Sequence, residues 1–129
     1  MLLDIDNTLL SPMAMEMDAH TQAHVLSLAK QGTILLCTNN MTDRQRNVAK
    51  ALHLPILMQA MKPLTFRVSR FLKRHGIASH QVVVVGDQWI TDGWLANAMH
   101  CPLIWLEPMA EDRNIMTRLL RRLEKRWKP

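Results

Sequence analysis

The chain has 129 residues, 48% of them hydrophobic and 21% charged, with a formal net charge of +5. That length and balance fit one compact domain with a substantial core and exclude an intrinsically disordered chain. No apolar run approaches the roughly 18 residues of a membrane span, and the start lacks the basic leader of a signal peptide.

Apolar strand-like runs alternate with helical patterns along the sequence. Met1 to Leu3 is a short apolar run that ends on Asp4, Ile5, Asp6, Asn7 and Thr8. The segment SPMAMEM (11–17) is a loop or small hairpin beside the active rim whose methionines, Met13, Met15 and Met17, are expected to fill the core, with contact to substrate as the alternative. Asp18 is placed to cap a helix running to about Lys30, with Gly32 as its stop. His20 and His24 lie one turn apart on that helix, at zinc-ligand spacing but with no third ligand in view. TILLCT (33–38) reads as a buried strand, and TDRQRNVAKAL (42–52) as a helix turning Val48, Ala49 and Leu52 inward. PILM (55–58) is a short strand, and LTFRVSRFLKRHG (64–76) a helix closed by its glycine. QVVVVGD (81–87) is the clearest strand: four valines without alternation are buried on both faces, as in the centre of a parallel sheet. TDGWLANAM (91–99) is a short helix, PLIWL (102–106) a strand, and the tail a last helix. Seven Lys/Arg against one Glu between Arg113 and Lys128 put the excess positive charge in that tail. Cys37 and Cys101, each in or beside an apolar run, read as buried free thiols in a reducing compartment.

The order β-α-β-α-β-α implies an α/β fold: a mostly parallel sheet with helices on both faces and right-handed crossovers. In such sheets ligands bind beyond the carboxyl ends of the strands. Asp4 and Asp6 follow the first strand, Thr38 and Asn39 the second, Lys62 the third and Asp87 the fourth, with Asp92 five residues later. A lone Asp-x-Asp is commonly a turn or a cap, and a lysine before proline is commonly solvated; their succession along one rim gives them weight together. Asp4, Asp6, Asp87 and Asp92 against Lys62 leave that rim at a nominal charge of −3. Carboxylates so close raise one another's pKa. A hard divalent cation with oxygen ligands resolves the conflict, and Mg²⁺ is the usual one. Asp4 and Asp87 would supply carboxylates, with further oxygens from Asp6 and water.

DIDNTL (4–9), CTNN (37–40), KP (62–63) and GDQWITD (86–92) resemble, in order, the four motifs of the haloacid dehalogenase (HAD) superfamily of phosphatases. The resemblance spans residues 1 to about 108. The second asparagine of CTNN, the GDQ…TD form and the later EP…E…T…R pattern are similar to its capless subfamily IIIA of YqeG type, which includes phosphatidylglycerophosphate phosphatases. The resemblance implies a three-layer α/β/α sandwich, with residues 1–129 forming a single hydrolase domain. It implies a Mg²⁺-dependent phosphomonoesterase that works through an aspartyl-phosphate. Asp4 would be the nucleophile. Asp6 would be the general acid and then the base, kept protonated by its carboxylate neighbours. Thr38 and Asn39 would hold phosphate oxygens ahead of a helix N-terminus. Lys62 would neutralise the transferring phosphoryl, and Asp92 would orient Lys62 or metal-bound water. Gly86 would let the chain turn sharply towards Asp87. Relatives of this branch carry a segment before the first motif and a longer first strand. The short first strand is therefore expected to be the weak point for stability and for placing Asp4.

Asp6 and Thr38 stand 32 positions apart, and Asn40 and Lys62 22 apart. Neither interval has room for a cap domain once its predicted elements are counted. An open rim suits a bulky phosphorylated substrate: a lipid headgroup such as that of phosphatidylglycerophosphate, a macromolecular end or a phosphoprotein. A soluble sugar phosphate, a nucleotide or a polynucleotide end is the alternative. A domain that only accepts or binds phosphate is another, against which Asp6 argues, because a mere acceptor needs no acid. The tail (113–128) aligns Ile115, Met116, Leu119, Leu120, Leu123 and Trp127 opposite its basic residues. Such a helix either packs on the core or rests on an anionic membrane surface. A cytoplasmic protein peripheral to the membrane is the corresponding expectation. No nucleic-acid motif occurs, and no pattern specifies an oligomer.

Overall fold

Five strands are formed by β1 (Leu2–Leu3), β2 (Leu35–Cys37), β3 (Ile56–Leu57), β4 (Val84–Gly86) and β5 (Leu103–Trp105). They make one sheet in the order β3-β2-β1-β4-β5, and every adjacent pair is parallel. The computed structural model describes residues 1–110 and 122–123, so the tail helix expected over 113–128 falls almost wholly outside the described residues.

β1 has two residues but lies at the centre of the sheet. Leu2 stands opposite Leu35 and Val84, and Leu3 opposite Leu36 and Val85. Ladder bonds continue past both of its ends. The Leu35 amide donates to the Met1 carbonyl at 2.9 Å, and the Asp4 amide donates to the Val85 carbonyl at 2.9 Å. The stub is thus clamped between two neighbours, and the backbone of Asp4 is fixed by the same ladder.

Side chains alternate across the pleat and feed two cores. Leu2, Leu35, Val82 and Val84 pack with Val68, Phe71 and Leu72 of α3 (Phe66–Arg74) and with Leu95 and Ala96 of α4 (Trp94–Ala98). Leu3, Leu36 and Val85 pack with Val25 of α1 (Ala19–Ala29) and with Val48, Ala49 and Leu52 of α2 (Asp43–Leu52). The result is the three-layer α/β/α arrangement, with valines of β4 buried on both faces as expected. Between Asp6 and Thr38 lie a loop, α1 and β2; between Asn40 and Lys62 lie α2 and β3. Neither interval contains an inserted domain. No helix among the described residues is long and apolar enough to cross a membrane.

Several local expectations are corrected. Met13 and Met15 do not fill the core: they are 61% and 63% exposed, while Met17 packs on the α1–α2 side. The cause lies in α2. Arg44 donates from Nε to the Ala14 carbonyl at 2.9 Å and from Nη2 to the Ser11 carbonyl at 2.8 Å, fixing the loop by its backbone. Asp18 caps α1 by accepting from the Thr21 amide at 2.8 Å, but the helix ends at Lys30 without a left-handed glycine, so Gly32 is not its stop. Gly76, at φ 68°, does close α3. The helix expected from Thr91 begins instead with a π-helical turn over Trp89–Gly93. His20 and His24 are exposed and lie outside the one candidate cation-binding cluster among the described residues. Cys37 and Cys101 are free; burial pushes the Cys37 thiol up to about 12, so it stays protonated and inert.

Candidate active site

The loop after β1 turns back on itself within a few residues. The amides of Thr8, Leu9 and Leu10 all donate to the Ile5 carbonyl, and the Asn7 amide donates to the Leu10 carbonyl at 2.8 Å. Asn7 sits at φ 61°, the left-handed region that asparagine tolerates better than most side chains. Its buried amide oxygen also accepts from the Ala110 amide at 3.1 Å, tying the loop after β5 to this turn. The turn brings Thr8 over the sheet edge. Its hydroxyl lies 3.2 Å from Asp4 Oδ2 and 3.4 Å from Asp87 Oδ1, bridging the ends of β1 and β4.

Asp4, Asp87 and Asp92 are buried, and one oxygen of each lies within 4.8 Å of the others. Lys62 supplies the cation. Its Nζ donates to Asp4 Oδ1 at 2.8 Å, to Asp92 Oδ1 at 2.6 Å and to the Cys37 carbonyl at 3.1 Å, which uses all three ammonium protons. Burial holds the Asp4 carboxyl well above its ordinary value; Asp92 and Asp87 push the same way, and Lys62 opposes them without prevailing. For Lys62, burial favours the neutral amine, but Asp4 and Asp92 outweigh it and hold the ammonium well above the ordinary lysine range. Three carboxylates facing one ammonium leave a surplus of buried negative charge among hard oxygen donors. That donor set fits a divalent cation such as Mg²⁺.

Asp6 is held by a separate set of donors. Its carboxylate accepts from Asn40 Nδ2 at 2.8 Å, from Gln45 Nε2 at 3.0 and 3.1 Å and from Thr38 Oγ1 at 3.3 Å, with Arg44 Nη1 at 3.5 Å. Gln45 has two tasks. Its side-chain oxygen accepts from the Thr42 amide and hydroxyl, capping α2, while its nitrogen holds Asp6. Asn39 clamps the lysine loop from both sides: Nδ2 donates to the Lys62 carbonyl at 3.0 Å, and Oδ1 accepts from the Lys62 amide at 2.8 Å.

Comparison with known proteins joins this geometry to a family. The family model described as mitochondrial PGP phosphatase matches residues 1–110. The chain belongs to that family. The Bacillus subtilis protein named Probable phosphatase YqeG is 26% identical to it over 134 residues, covering 97% of this chain and 73% of the relative. A solved HAD-superfamily hydrolase of subfamily IA, variant 1, from Geobacter sulfurreducens has the same fold. Its TM-score is 0.55 at 18% identity, with 83% of this chain and 60% of that one covered. The family is one of phosphatases, and the chain has the fold of a HAD-superfamily hydrolase.

In this phosphatase the structure brings Asp4, Asp87, Asp92 and Lys62 into direct contact range, and gathers Thr38 with Asp6 beside them. The carboxylates of Asp4, Asp87 and Asp92 form the candidate cation cluster, and Asp92 also salt-bridges Lys62. Thr8, Asn40, Arg44 and Gln45 are site residues that spacing alone did not reveal. Thr8 and Asn40 lie inside the quoted motifs DIDNTL and CTNN without a role of their own, Gln45 carried the Thr-x-x-Gln capping box at 42–45, and Arg44 carried no local signal.

Gly86 has a different task from the turn expected of it, since its backbone is not left-handed. A Cβ there would overlap the Asp92 carboxylate and stand 2.8 Å from Asp92 Cβ. The missing side chain is what lets Asp92 lie against β4. Gly86→Ala is expected to cost about 1–3 kcal/mol in chemical denaturation, in the range of an overpacked core, and to lower activity by displacing Asp92 from Lys62. Gly32→Ala, where a Cβ meets nothing within 4 Å, is the control and should be close to neutral.

Proposed function

We propose that this phosphatase hydrolyses phosphate monoesters with Mg²⁺ through an aspartyl-phosphate on Asp4, and that its substrate is phosphatidylglycerophosphate or a similar phosphorylated headgroup. The observation that carries the reading is the ammonium of Lys62, shared at 2.8 and 2.6 Å between Asp4 and Asp92 inside a cluster of three buried carboxylates. Asp4 attacks phosphorus and the bond to the leaving alkoxide breaks, with Asp6 giving that oxygen its proton. Asp6 then takes a proton from water as the water attacks phosphorus, and the bond from phosphorus to Asp4 breaks to release phosphate. Lys62 neutralises the negative charge around Asp4 in both halves. Thr38 and the main chain at Asn39 receive phosphate oxygens, and the Asn39 side chain holds Lys62 in register. Asp4, Asp87 and Asp92, with a further oxygen from Asp6, would hold Mg²⁺, which when bound offsets charge on the phosphoryl oxygens.

Two observations support a lipid-borne substrate. One is the family to which the chain belongs. The other is the rim, where Met13, Met15, Met41, Met61, Leu64 and Phe66 are all exposed on loops at the carboxyl ends of β1 to β3 or at the start of α3. An apolar collar around an open phosphate site suits a headgroup presented from a lipid surface, and the basic tail sequence suits anionic lipid. The test measures phosphate release from phosphatidylglycerophosphate in mixed micelles against a panel of sugar phosphates and nucleotides, with and without Mg²⁺. A kcat/KM for the lipid at least about tenfold above every soluble ester, lost with chelation, is expected. Equal or better turnover of a soluble ester overturns the substrate; full turnover in chelator overturns the role of the metal.

A further inference from the structure

Next to the catalytic rim a cleft of about 450 Å³ is lined by Asn39, Gln59, Met61 and Arg67. It shares a wall with the site through Asn39, whose side chain bonds both main-chain groups of Lys62. The far wall is Arg67, in the first turn of α3. Arg67 Nη2 makes one long hydrogen bond to the Met58 carbonyl at 3.4 Å, and its Nε is shielded from solvent with no partner. It is the only buried side-chain nitrogen or oxygen without a partner among the described residues. Leaving such a donor unmet costs free energy. A guanidinium with donors to spare is suited to an anion with two or three oxygens. No acidic side chain lines the cleft to compete for it. The loop between is held in an unusual path: Gln59 and Met61 lie at φ 48° and 60°, fixed by bonds from the Gln59 amide to the Asn40 carbonyl and from the Ala60 amide to the Thr38 carbonyl. Strained backbone of this kind clusters at ligand sites.

We propose that this cleft is a second anion subsite in which Arg67 binds the phosphodiester of a substrate whose terminal phosphomonoester sits at Asp4. The inference rests on the phosphatase reading above and adds to it a determinant of substrate choice. One phosphate is cleaved; the other is only gripped, and the grip selects esters that carry both.

The soluble probe is the deacylated headgroup glycerophosphoglycerol phosphate, which has a monoester and a diester but no lipid chain. p-Nitrophenyl phosphate, with no second anion, is the comparison. In Arg67→Ala the ratio of kcat/KM for the headgroup over p-nitrophenyl phosphate should fall about tenfold or more, as for a lost charge-assisted hydrogen bond, and mainly through KM. Arg67→Lys should recover part of it. An unchanged ratio, whether both substrates suffer equally or neither does, overturns the subsite. If the wild type cleaves p-nitrophenyl phosphate but not the headgroup, the substrate reading fails by itself. The subsite is then judged by glycerol bisphosphate competing against p-nitrophenyl phosphate: inhibition at least tenfold weaker in Arg67→Ala supports it, and equal inhibition overturns it.

Discussion

Asp4→Asn is expected to lower turnover of p-nitrophenyl phosphate by at least about a thousandfold, while leaving the metal-free protein at neutral pH as stable as the wild type or more so. The loss of rate follows from the chemistry: the amide keeps the shape but cannot form the aspartyl-phosphate. The stability follows from the site's charge. Burial, with Asp92 and Asp87, raises the folded-state pKa of Asp4 above its ordinary 3.8, so without a divalent cation the fold prefers the neutral form that Asn imitates. A carboxyl raised in this way contributes stability that is complete below its unfolded value and is lost as pH rises through its folded value. Wild-type melting temperature in chelator should therefore fall as pH rises above about 3.8, and the curve for Asp4→Asn should be flatter. Lys62 does not become an orphan in the variant, since Asp92 remains 2.6 Å away. Mg²⁺ should raise the melting temperature of the wild type more than that of the variant. Near wild-type turnover in Asp4→Asn would remove this residue from the role of nucleophile.

The rim was legible because parallel sheets put every strand's carboxyl end on one edge, so polar residues after apolar runs could be placed together without knowing how long each strand is. The lengths themselves were less legible. Apolar residues outlast the ladder, as at TILLCT (33–38), where only Leu35–Cys37 pair as strand, and Val82 is buried outside β4. Asp6 shows what spacing leaves out: the chain reverses at Asn7, and the two carboxylates take different partners, Lys62 for Asp4 and Asn40 and Gln45 for Asp6. Gly86 could be read as special, but not why: the reason is the side chain of Asp92, which a helical turn brings back onto the strand. Met13 and Met15 were misplaced because composition cannot tell a core-filling methionine from one displayed at a rim; that was decided by Arg44, thirty residues away, taking hold of the loop's carbonyls.

Lys62→Met should be the most destabilising single change at the site, by about 3–5 kcal/mol and on the order of 10 °C or more in melting temperature. Methionine has a similar length and fills most of the same space, so the effect reads charge rather than volume. The ammonium is 3% exposed, and its carboxylate partners Asp4 and Asp92 are 10% and 2% exposed, so little solvent is present to take over when it is removed. Asp4 and Asp92 hold the lysine pKa above 10.5 against the opposing effect of burial. Its contribution is therefore complete at neutral pH and is lost only as pH rises through that raised value. The deficit at pH 7 should shrink in two ways that a packing defect would not. Mg²⁺ replaces the missing positive charge, so it should stabilise Lys62→Met more than it stabilises the wild type. Adding Asp4→Asn removes one of the uncompensated carboxylates, so the double variant should be less destabilised than the sum of the two single changes. Activity should still fall by about 10²–10³ even with Mg²⁺ restored, because the ion cannot also stand where Lys62 neutralises the phosphoryl. A Lys62→Met protein that melts with the wild type in chelator would mean that the carboxylates do not need this cation, and the charge balance from which the whole site is reasoned would be wrong.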